Sequence, residues 1–330
     1  MSTEAMQAWQ FDTCGHYREV LHWTTRPLPI PGPGEARVRT SAVSLNFPDL
    51  LIIQGKYQHK APLPAVPGVE AVGVVEAVGP GSKFKIGDRA VGFCHSGGTL
   101  ADAFIVHNQS AWTVPAHVTD EQAAALSVTY GTSWFGLTHR AHLLAGETLL
   151  VLGAAGGVGL AAIQLGKLLG ATVIACAGDA KKLAVCRDNG ADHLIDYRSE
   201  DLVERVKALT NGHGADVIYD PVGGDIFDQV KRCVAWDGRI VIIGFAAGRI
   251  PTIETNRILL KNMAVIGLAW GQYLDRGSKL PEQAQFEFYE MIARRQIDPV
   301  IYRSLPFADV HEGLRIIESR EVYGKVVITR

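Results

Sequence analysis

Cysteine is scarce and scattered in this sequence. The chain of 330 residues contains five cysteines, and no two of them form a Cys-x-x-Cys pair. Cys94 and His95 are neighbours, but adjacent residues rarely chelate one ion, and no second pair follows at the spacing of zinc ligands. The sequence therefore excludes a disulfide scaffold and predicts no metal site. The thiols are expected to be reduced and mostly packed.

An excess of charge and long apolar runs are also missing. The formal net charge is −2, so nothing in the composition would draw the chain to nucleic acid or to an anionic membrane. Gly and Pro interrupt the longest charge-poor stretches, which excludes a membrane-spanning helix. The first residues lack a basic start followed by an apolar core, so no signal peptide is predicted and a cytoplasmic location is expected.

Two different patterns of hydrophobicity divide the chain, whose length allows two domains. Up to about residue 120, short β-like runs such as "ARVRTSAV" and "AVGVVEAV" are separated by Pro-Gly clusters. This pattern predicts an irregular, mainly antiparallel β domain. The tail, residues 268–330, has two helix-like pieces and a final strand. We assign it with residues 1–123 to one domain, which makes residues 124–267 an insertion.

Residues 124–267 alternate between apolar strands and helical segments. Six strands are predicted: "TLLVLGA", "TVIACA", "HLIDY", "DVIYDPV", "GRIVIIGF" and "MAVIGLAW". The helical segments between them have apolar residues three to four apart, and the fourth is expected over residues 225–236. Six strands in βα alternation predict a doubly wound parallel sheet, the Rossmann fold of dinucleotide-binding domains.

The first turn of this domain carries a phosphate-binding pattern. A strand runs into an A-x-G-x-x-G turn formed by Ala154, Gly156 and Gly159, with Gly157 and Val158 between the last two, and a helix follows. Gly156 lets the backbone approach a pyrophosphate, and Gly159 lets the helix pack closely on the strand. The alternative is a small-residue contact without a ligand. The strand–turn–helix context favours a dinucleotide.

The end of the second strand indicates which dinucleotide. Ala177 stands where an acidic residue would bind the ribose of NAD, and Gly178 follows it. Lys181 and Lys182 open the next helix, and nearby cations suit the 2′-phosphate of NADP. Asp179 could lie near that phosphate or cap the helix; we prefer the cap and predict NADPH.

The motifs resemble those of one family along essentially the whole chain. "GETLLVLGAAGGVGLAAIQLGK" and "SLNFPDLLIIQGKYQHKAPLPAVPGVEAVGVVEAVGPG" are similar to the quinone oxidoreductase branch of the medium-chain dehydrogenase/reductase superfamily, with enoyl reductases as near relatives. The resemblance implies an α/β fold with two parts. One is a GroES-like, mainly β catalytic domain, and the other is a Rossmann domain with a doubly wound, parallel, six-stranded sheet.

The resemblance also implies a site without zinc. In the zinc-dependent alcohol dehydrogenases of this superfamily, a cysteine and a histidine that bind catalytic zinc match Asn46 and Val69, and a third ligand falls near Val128. None of these residues rebuilds a zinc centre. Glu70, next to Val69, is interpreted as a buried structural acid rather than a catalytic one.

Roles for individual residues follow from the same resemblance. Tyr57 matches a proton-donating tyrosine and Asn46 an amide near the nicotinamide ribose and substrate, so these two are the predicted catalytic residues. Leu51 replaces a second tyrosine found in some quinone reductases, which makes the expected pocket more apolar. Beside the phosphate loop, the implied cofactor contacts are Asn46, Thr132, Gly178, Lys182, Tyr197, Gly244, Phe245, Ala246 and Lys325.

The predicted function is NADPH-dependent, zinc-independent hydride transfer to a quinone or a related activated carbonyl, a small hydrophobic substrate. A zinc-free site needs a hydrogen-bond donor for the negative charge that develops on oxygen, and Tyr57 is the candidate. Reduction of an enone or enoyl thioester, or a NADPH-binding module with vestigial activity, remains an alternative. The strand at residues 263–270 is expected at a sheet edge, which predicts a homodimer.

Overall fold

The computed structural model describes residues 4–330. Its strands, numbered in chain order, are β1 (Ala5–Phe11), β2 (Leu21–Pro27), β3 (Glu35–Leu45), β4 (Glu70–Val78), β5 (Arg89–Phe93), β6 (Ala103–His107), β7 (Ala111–Thr113), β8 (Thr148–Leu152), β9 (Thr172–Ala177), β10 (His193–Asp196), β11 (Ala215–Asp220), β12 (Val234–Ile242), β13 (Ala264–Gly267), β14 (Ile301–Pro306) and β15 (Lys325–Thr329).

The helices are numbered in the same way. They are α1 (Tyr17–Val20), α2 (Phe47–Ile53), α3 (Asp120–Ala124), α4 (Ser127–Trp134), α5 (Gly157–Leu168), α6 (Ala180–Asp188), α7 (Leu202–Leu209), α8 (Gly224–Val230), α9 (Thr255–Lys261), α10 (Gly271–Asp275), α11 (Leu280–Ala293) and α12 (Val310–Glu318). A π-helical turn over Phe135–Arg140 continues α4, and a 3-10 turn over Phe307–Asp309 precedes α12. No helix among residues 4–330 combines the length and the apolar character needed to cross a bilayer.

The chain divides into two compact units. The first unit comprises the residues up to 128 together with 273–293 and 301–330, and the second comprises residues 129–272 and 294–300. The chain leaves the first unit within α4 and returns to it within α10.

The first unit is built on a sheet in the order β14-β15-β3-β4-β5-β7, with β6 also paired to β3. Its pairs are antiparallel except β14 with β15. The register pairs Ser44 with Glu70 and Leu45 with Val326, so the end of β3 meets the starts of β4 and β15. One corner of the sheet therefore joins segments that are far apart in sequence. This architecture confirms the predicted GroES-like, mainly β fold.

The second unit contains a parallel sheet of six strands in the order β10-β9-β8-β11-β12-β13. Its inner strands are buried on both faces, as continuous apolar runs such as "TLLVL" predict. Leu150, Ile174, Ile218 and Ile240 from four of these strands belong to one core cluster. The predicted six-stranded Rossmann sheet is thus confirmed, and the strand of residues 263–270 lies at its edge, shortened to Ala264–Gly267.

Two local predictions were wrong. The helix expected over residues 225–236 ends at Val230, and β12 already begins at Val234 because that residue pairs with Ala215 in the parallel ladder. Asp237, with a φ of 62°, then bends the strand through a left-handed conformation that interrupts its regular pairing. In the tail, the short strand β14 was not predicted.

Candidate active site

The entry to α2 fixes the backbone around Asn46. Asn46 stands immediately before the helix in an extended conformation, and its backbone N–H donates to Asp49 Oδ2 at 2.7 Å. Asp49 Oδ1 accepts a second hydrogen bond from the N–H of Gly68 at 3.2 Å. Asp49 is fully buried, and burial raises the pKa of its carboxyl to about 7. The contact of Asp49 with the N–H of Asn46 is half of a capping box, in which an acid at the third helical position accepts a hydrogen bond from the backbone N–H of the N-cap residue.

The side-chain amide of Asn46 is held on every side by protein groups. Its Nδ2 donates to the Ser44 carbonyl at 3.1 Å and to Glu70 Oε1 at 3.0 Å, which uses both amide hydrogens. Its Oδ1 accepts from Lys325 Nζ at 2.6 Å. Asn46 therefore has no hydrogen left for a substrate oxygen, but its own oxygen can accept one more bond, for example from a hydroxyl.

Glu70 and Lys325 form a buried ion pair beside this amide. Lys325 Nζ donates to the Leu45 carbonyl at 3.0 Å and lies 3.4 Å from Glu70 Oε1. Glu70 Oε2 accepts from the N–H of Val128 at 2.9 Å. Burial raises the pKa of Glu70 and lowers the pKa of Lys325, and the charge of each partner opposes the shift of the other. With three acceptors around the ammonium, the pair is well satisfied.

Tyr57 lies just beyond α2, in a different setting. Its N–H donates to the Leu51 carbonyl at 3.2 Å, and its half-buried ring lies 6.0 Å from the ring of His59. Burial raises the pKa of the phenol, and the charge of Asp49 raises it further. Within residues 4–330 its hydroxyl makes no hydrogen bond to another residue. It is therefore a protonated donor that is available to a ligand.

The phosphate loop in the second unit has the expected backbone. Gly156 is the N-cap of α5 in an extended conformation, and a Cβ added there would approach only the Gly153 carbonyl, at 3.3 Å. A Cβ on Gly159 would lie 2.5 Å from that carbonyl and 2.6 Å from the Ala154 carbonyl. Gly159 thus allows close packing of the helix on the loop, and the first N–H groups of α5, including those of Gly157 and Val158, have no partner within the helix.

The predicted adenosine contacts come together at the end of β9. A Cβ on Gly178 would lie 2.6 Å from the hydroxyl of Tyr197 and 3.0 Å from Nε of Arg198. Asp179 caps α6 by accepting from the N–H of Lys182 at 2.8 Å, which confirms the preferred reading of Asp179. The Lys182 ammonium lies 3.7 Å from the same carboxylate. Tyr197 and Arg198 thus lie against Gly178, and Lys182 lies beside Asp179, the next residue of the chain.

The predicted nicotinamide contacts lie on two other elements of the second unit. Thr132 is a half-buried residue of α4. Gly244, Phe245 and Ala246 follow β12, where the N–H of Ala246 donates to the Pro221 carbonyl at 3.1 Å. A Cβ on Gly223 would lie 3.0 Å from the Phe245 ring, so this glycine leaves room for the ring.

Sequence reasoning missed one pairing and two residues of these sites. The pairing of Lys325 with Glu70 joins positions 255 residues apart, and no local pattern announces it. Asp49 had a local signal, the Asn-Phe-Pro-Asp sequence that begins α2. Arg198 had a weaker one, a cation directly after the predicted contact Tyr197.

The chain is similar to known proteins along nearly its full length. A family described as zinc-binding dehydrogenase matches residues 157–286, and one described as alcohol dehydrogenase GroES-like domain matches residues 32–116. A quinone oxidoreductase-like protein 2 homolog from Nematostella vectensis is 40% identical over 300 residues, which cover 90% of this chain and 82% of the relative.

Solved structures give the same result. A quinone oxidoreductase from Pseudomonas syringae superposes with a TM-score of 0.92 at 31% identity, covering 98% of this chain and 100% of that one. The Escherichia coli quinone oxidoreductase complexed with NADPH has a TM-score of 0.89 at 30% identity, with the same coverage.

The zinc in the first family's description does not fit the three residues of this chain that match the catalytic zinc ligands of zinc-dependent relatives. Val69 and Val128 have no ligand atom, and Asn46 donates both of its amide hydrogens to protein oxygens. Of the two buried acids nearby, Glu70 is paired with the Lys325 ammonium, and Asp49 accepts hydrogen bonds from the N–H groups of Asn46 and Gly68. The polar groups at these positions are therefore already bonded to one another and to a cation, which leaves no set of zinc ligands there.

Proposed function

The chain belongs to the quinone oxidoreductase branch of the medium-chain dehydrogenase/reductase superfamily, and on that premise we propose that it is a NADPH-dependent, zinc-independent reductase of quinones or related activated carbonyls. The observation that supports the proposal is the buried network of Glu70, Lys325 and Asn46, in which a satisfied ion pair engages the side chain of a residue that matches a zinc ligand. Proton donation then depends on another group of the same unit.

Tyr57 is that group in our proposal. A bound reduced nicotinamide supplies the hydride, so the protein has to supply a proton and stabilise negative charge on the acceptor oxygen. Tyr57 holds a proton on a hydroxyl that is not committed to another described residue, whereas Asn46 has none to give. We therefore reassign Asn46 to positioning and to accepting a hydroxyl hydrogen, and leave catalysis to Tyr57.

NADPH rather than NADH is favoured by the corner at the end of β9. Lys182 and Arg198 bring two positive charges to a floor formed by Gly178, and the acid next to it, Asp179, is engaged in capping α6. A 2′-phosphate would find cations and a phenol there. The helix start at Gly156 supports the pyrophosphate in the same unit.

The cofactor assignment is tested by titrating the protein with NADPH and NADH, following the nicotinamide fluorescence. Lys182→Ala and Arg198→Ala should each weaken NADPH binding about tenfold or more and leave NADH binding unchanged, since each removes a charged hydrogen-bond donor. Lys181→Ala, on the exposed side of the same helix, is the matched control. Tighter binding of NADH by the wild-type protein would overturn the NADPH assignment.

The reaction is tested by following the loss of reduced-nicotinamide absorbance with 1,4-benzoquinone, 9,10-phenanthrenequinone and a simple enone, without added metal. Tyr57→Phe should lower kcat about 100-fold or more, as expected for the loss of one donor to a developing oxyanion. Tyr302→Phe, on β14, is the control.

Turnover only with the enone would move the substrate class to enones or enoyl thioesters. NADPH binding without any turnover would leave a binding module.

We also propose a homodimer formed through β13. This strand lies at the edge of the six-stranded sheet, and the helix before it exposes Leu259 at 78% and Leu260 at 77%. An edge strand of this kind has unpaired backbone groups beside exposed apolar side chains, and pairing with a second copy of the chain would bury both. Light scattering should give twice the chain mass, and Leu259→Glu with Leu260→Glu should give monomers. A monomeric wild-type protein would overturn the proposal.

A further inference from the structure

Three potential metal ligands from separate segments of the first unit converge at one point. They are His59, beyond α2; His95, two residues after β5; and Asp275, the last residue of α10. One ligand atom from each lies within 4.8 Å of the other two. None of these residues belongs to the site proposed above for the reaction.

The individual contacts show how the side chains are held. His95 Nε2 lies 2.9 Å from Asp275 Oδ1, and the rings of His95 and His59 are 5.0 Å apart. The edge of the Phe93 ring packs against His95 at 4.6 Å, with an angle of 75° between the planes. An aromatic neighbour and a carboxylate therefore fix the His95 ring from two sides.

Two imidazoles and one carboxylate are a donor set that zinc takes in proteins when it keeps an open fourth position. Ligand atoms about 2.0–2.2 Å from a shared ion lie roughly 3–4 Å from one another, so the present separations need only small side-chain movements. The side chain of Asp275 is 40% exposed, whereas His95 Nε2 is buried, so an ion would enter from the side of the Asp275 carboxylate.

The surroundings provide space for the open position. His95 and Asp275 line a groove of about 610 Å³ in the first unit, together with Leu274, Ser96 and Cys94. The thiol of Cys94 is not one of the three clustered ligands, and its Sγ donates to the Ile105 carbonyl at 3.5 Å. An ion held by the three side chains would therefore complete its shell with water or with a small ligand in the groove.

We propose that His59, His95 and Asp275 form a binding site for a divalent transition-metal ion of the zinc type, separate from the position that Glu70 and Lys325 occupy. No sequence motif predicts this site, because its ligands come from three separate segments of the chain. Cys94 and His95 looked like a pair unable to chelate one ion, yet the partners of His95 are 36 residues before it and 180 residues after it. The ion would tie α10, where the chain re-enters the first unit, to the segment that follows α2.

The test uses the full-length protein after chelator treatment and dialysis. Titration with Zn²⁺ by calorimetry should show one equivalent bound per chain, and Co²⁺ should give the visible absorption bands of a low-symmetry, four- or five-coordinate ion. His59→Gln, His95→Gln and Asp275→Asn should each weaken Zn²⁺ binding by at least about tenfold, since each removes a ligand. Zn²⁺ should also raise the melting temperature of the wild-type protein more than that of any of these three variants.

Two variants serve as matched controls. His107→Gln removes another imidazole that lines the same groove and lies 3.3 Å from a carboxylate of Glu35, and Cys94→Ser removes the neighbouring thiol. Both should bind Zn²⁺ as the wild-type protein does. The melting temperature of each variant without metal shows that it is folded, and Asp275→Asn, at an exposed position, keeps the test available if a histidine variant unfolds. The absence of stoichiometric Zn²⁺ binding, or binding that survives all three ligand substitutions, would overturn the proposal.

Discussion

In the first unit a buried cluster of charged side chains holds Asn46, whereas in the second unit glycine and backbone shape the predicted phosphate loop. Asn46 owes its position to Lys325 and Glu70, which meet at a corner of the sheet. In the predicted phosphate loop, Gly156 and Gly159 allow the N-terminus of α5 to lie close to the end of β8. The first arrangement fixes a side chain, and the second leaves backbone amides exposed for a ligand.

This difference follows from what each unit has to present. The N-terminus of a helix binds an anion such as a pyrophosphate through its backbone N–H groups, and small residues are enough to let the anion approach. An oriented amide in an apolar interior needs partners for each polar atom, because an unpaired buried group is costly. The two units should therefore respond differently to substitution, and the size of the response measures how each site is built.

The largest effect is expected from Lys325→Met in the first unit. Removing the ammonium leaves Glu70 as an unpaired buried charge and deprives Asn46 of its donor, which should lower the free energy of unfolding by about 3–5 kcal/mol. Urea denaturation followed by circular dichroism measures the change.

The double variant Lys325→Met with Glu70→Gln is the control for charge. It leaves no buried ion without a partner, so it should be clearly more stable than Lys325→Met alone. If the double variant is as unstable as the single one, packing rather than charge holds this corner together.

An intermediate effect is expected from Gly159→Ala in the second unit. The new methyl group would approach the carbonyls of Gly153 and Ala154 at 2.5 Å and 2.6 Å, so the helix must move away from the loop. We expect a loss of about 1–3 kcal/mol in the free energy of unfolding, the usual cost of overpacking, together with weaker NADPH binding.

Gly156→Ala makes the matched comparison in the same loop. Its φ of −71° suits alanine, and its Cβ would meet only one carbonyl, at 3.3 Å. The free energy of unfolding should fall by less than about 1 kcal/mol. NADPH binding should weaken, because in the proposed cofactor site this glycine lets the backbone approach the pyrophosphate. Equal losses of stability for the two variants would show that Gly159 has no special packing role.

The same contrast explains what the sequence could predict. The six-stranded sheet and the phosphate loop were predictable because their signals are local: apolar runs of four to six residues, and Ala154, Gly156 and Gly159 at fixed spacing. The cap formed by Asp179 was predictable for the same reason.

The polar corner of the first unit was not predictable in detail. Glu70 was recognised as a buried acid, but its partner Lys325 lies on the last strand, and only the pairing of β3 with both β4 and β15 brings the two together. The positioning role that we propose for Asn46 was also out of reach of the sequence, because a count of its hydrogen bonds requires the positions of Ser44, Glu70 and Lys325. The boundary between α8 and β12 failed because tertiary strand pairing overrode a helical pattern.

A smaller effect is expected from pH, through Asp49 in the first unit. Burial raises the pKa of this carboxyl to about 7, above its ordinary value of 3.8, so the folded protein holds the proton more tightly than the unfolded chain. The resulting stability is fully present below about pH 4 and is lost as the pH rises through about 7.

Asp49→Asn isolates this contribution. The free energy of unfolding of the wild-type protein minus that of the variant should fall by about 1.4 kcal/mol or more between pH 4 and pH 7, since one pKa unit corresponds to that energy. Glu70, Lys325 and the N–H groups of Asn46 and Gly68 face this carboxyl and remain in both proteins. If the free energy of unfolding of the wild-type protein minus that of the variant rises with pH instead, Asp49 is ionised in the folded protein. The hydrogen bonds from these N–H groups would then lower its pKa by more than burial raises it.

The smallest effect is expected from Lys167→Met in the second unit, which repeats the first substitution in a different environment. The Lys167 ammonium lies 2.8 Å from both carboxylate oxygens of Asp192, closer than Lys325 lies to Glu70. Both partners are about one-third exposed, so water solvates each charge after the other is removed. Urea denaturation should therefore show a loss of only about 0.2–1 kcal/mol. A loss as large as that of Lys325→Met would show that the distance between the charges, and not their burial, decides the stability of an ion pair in this protein.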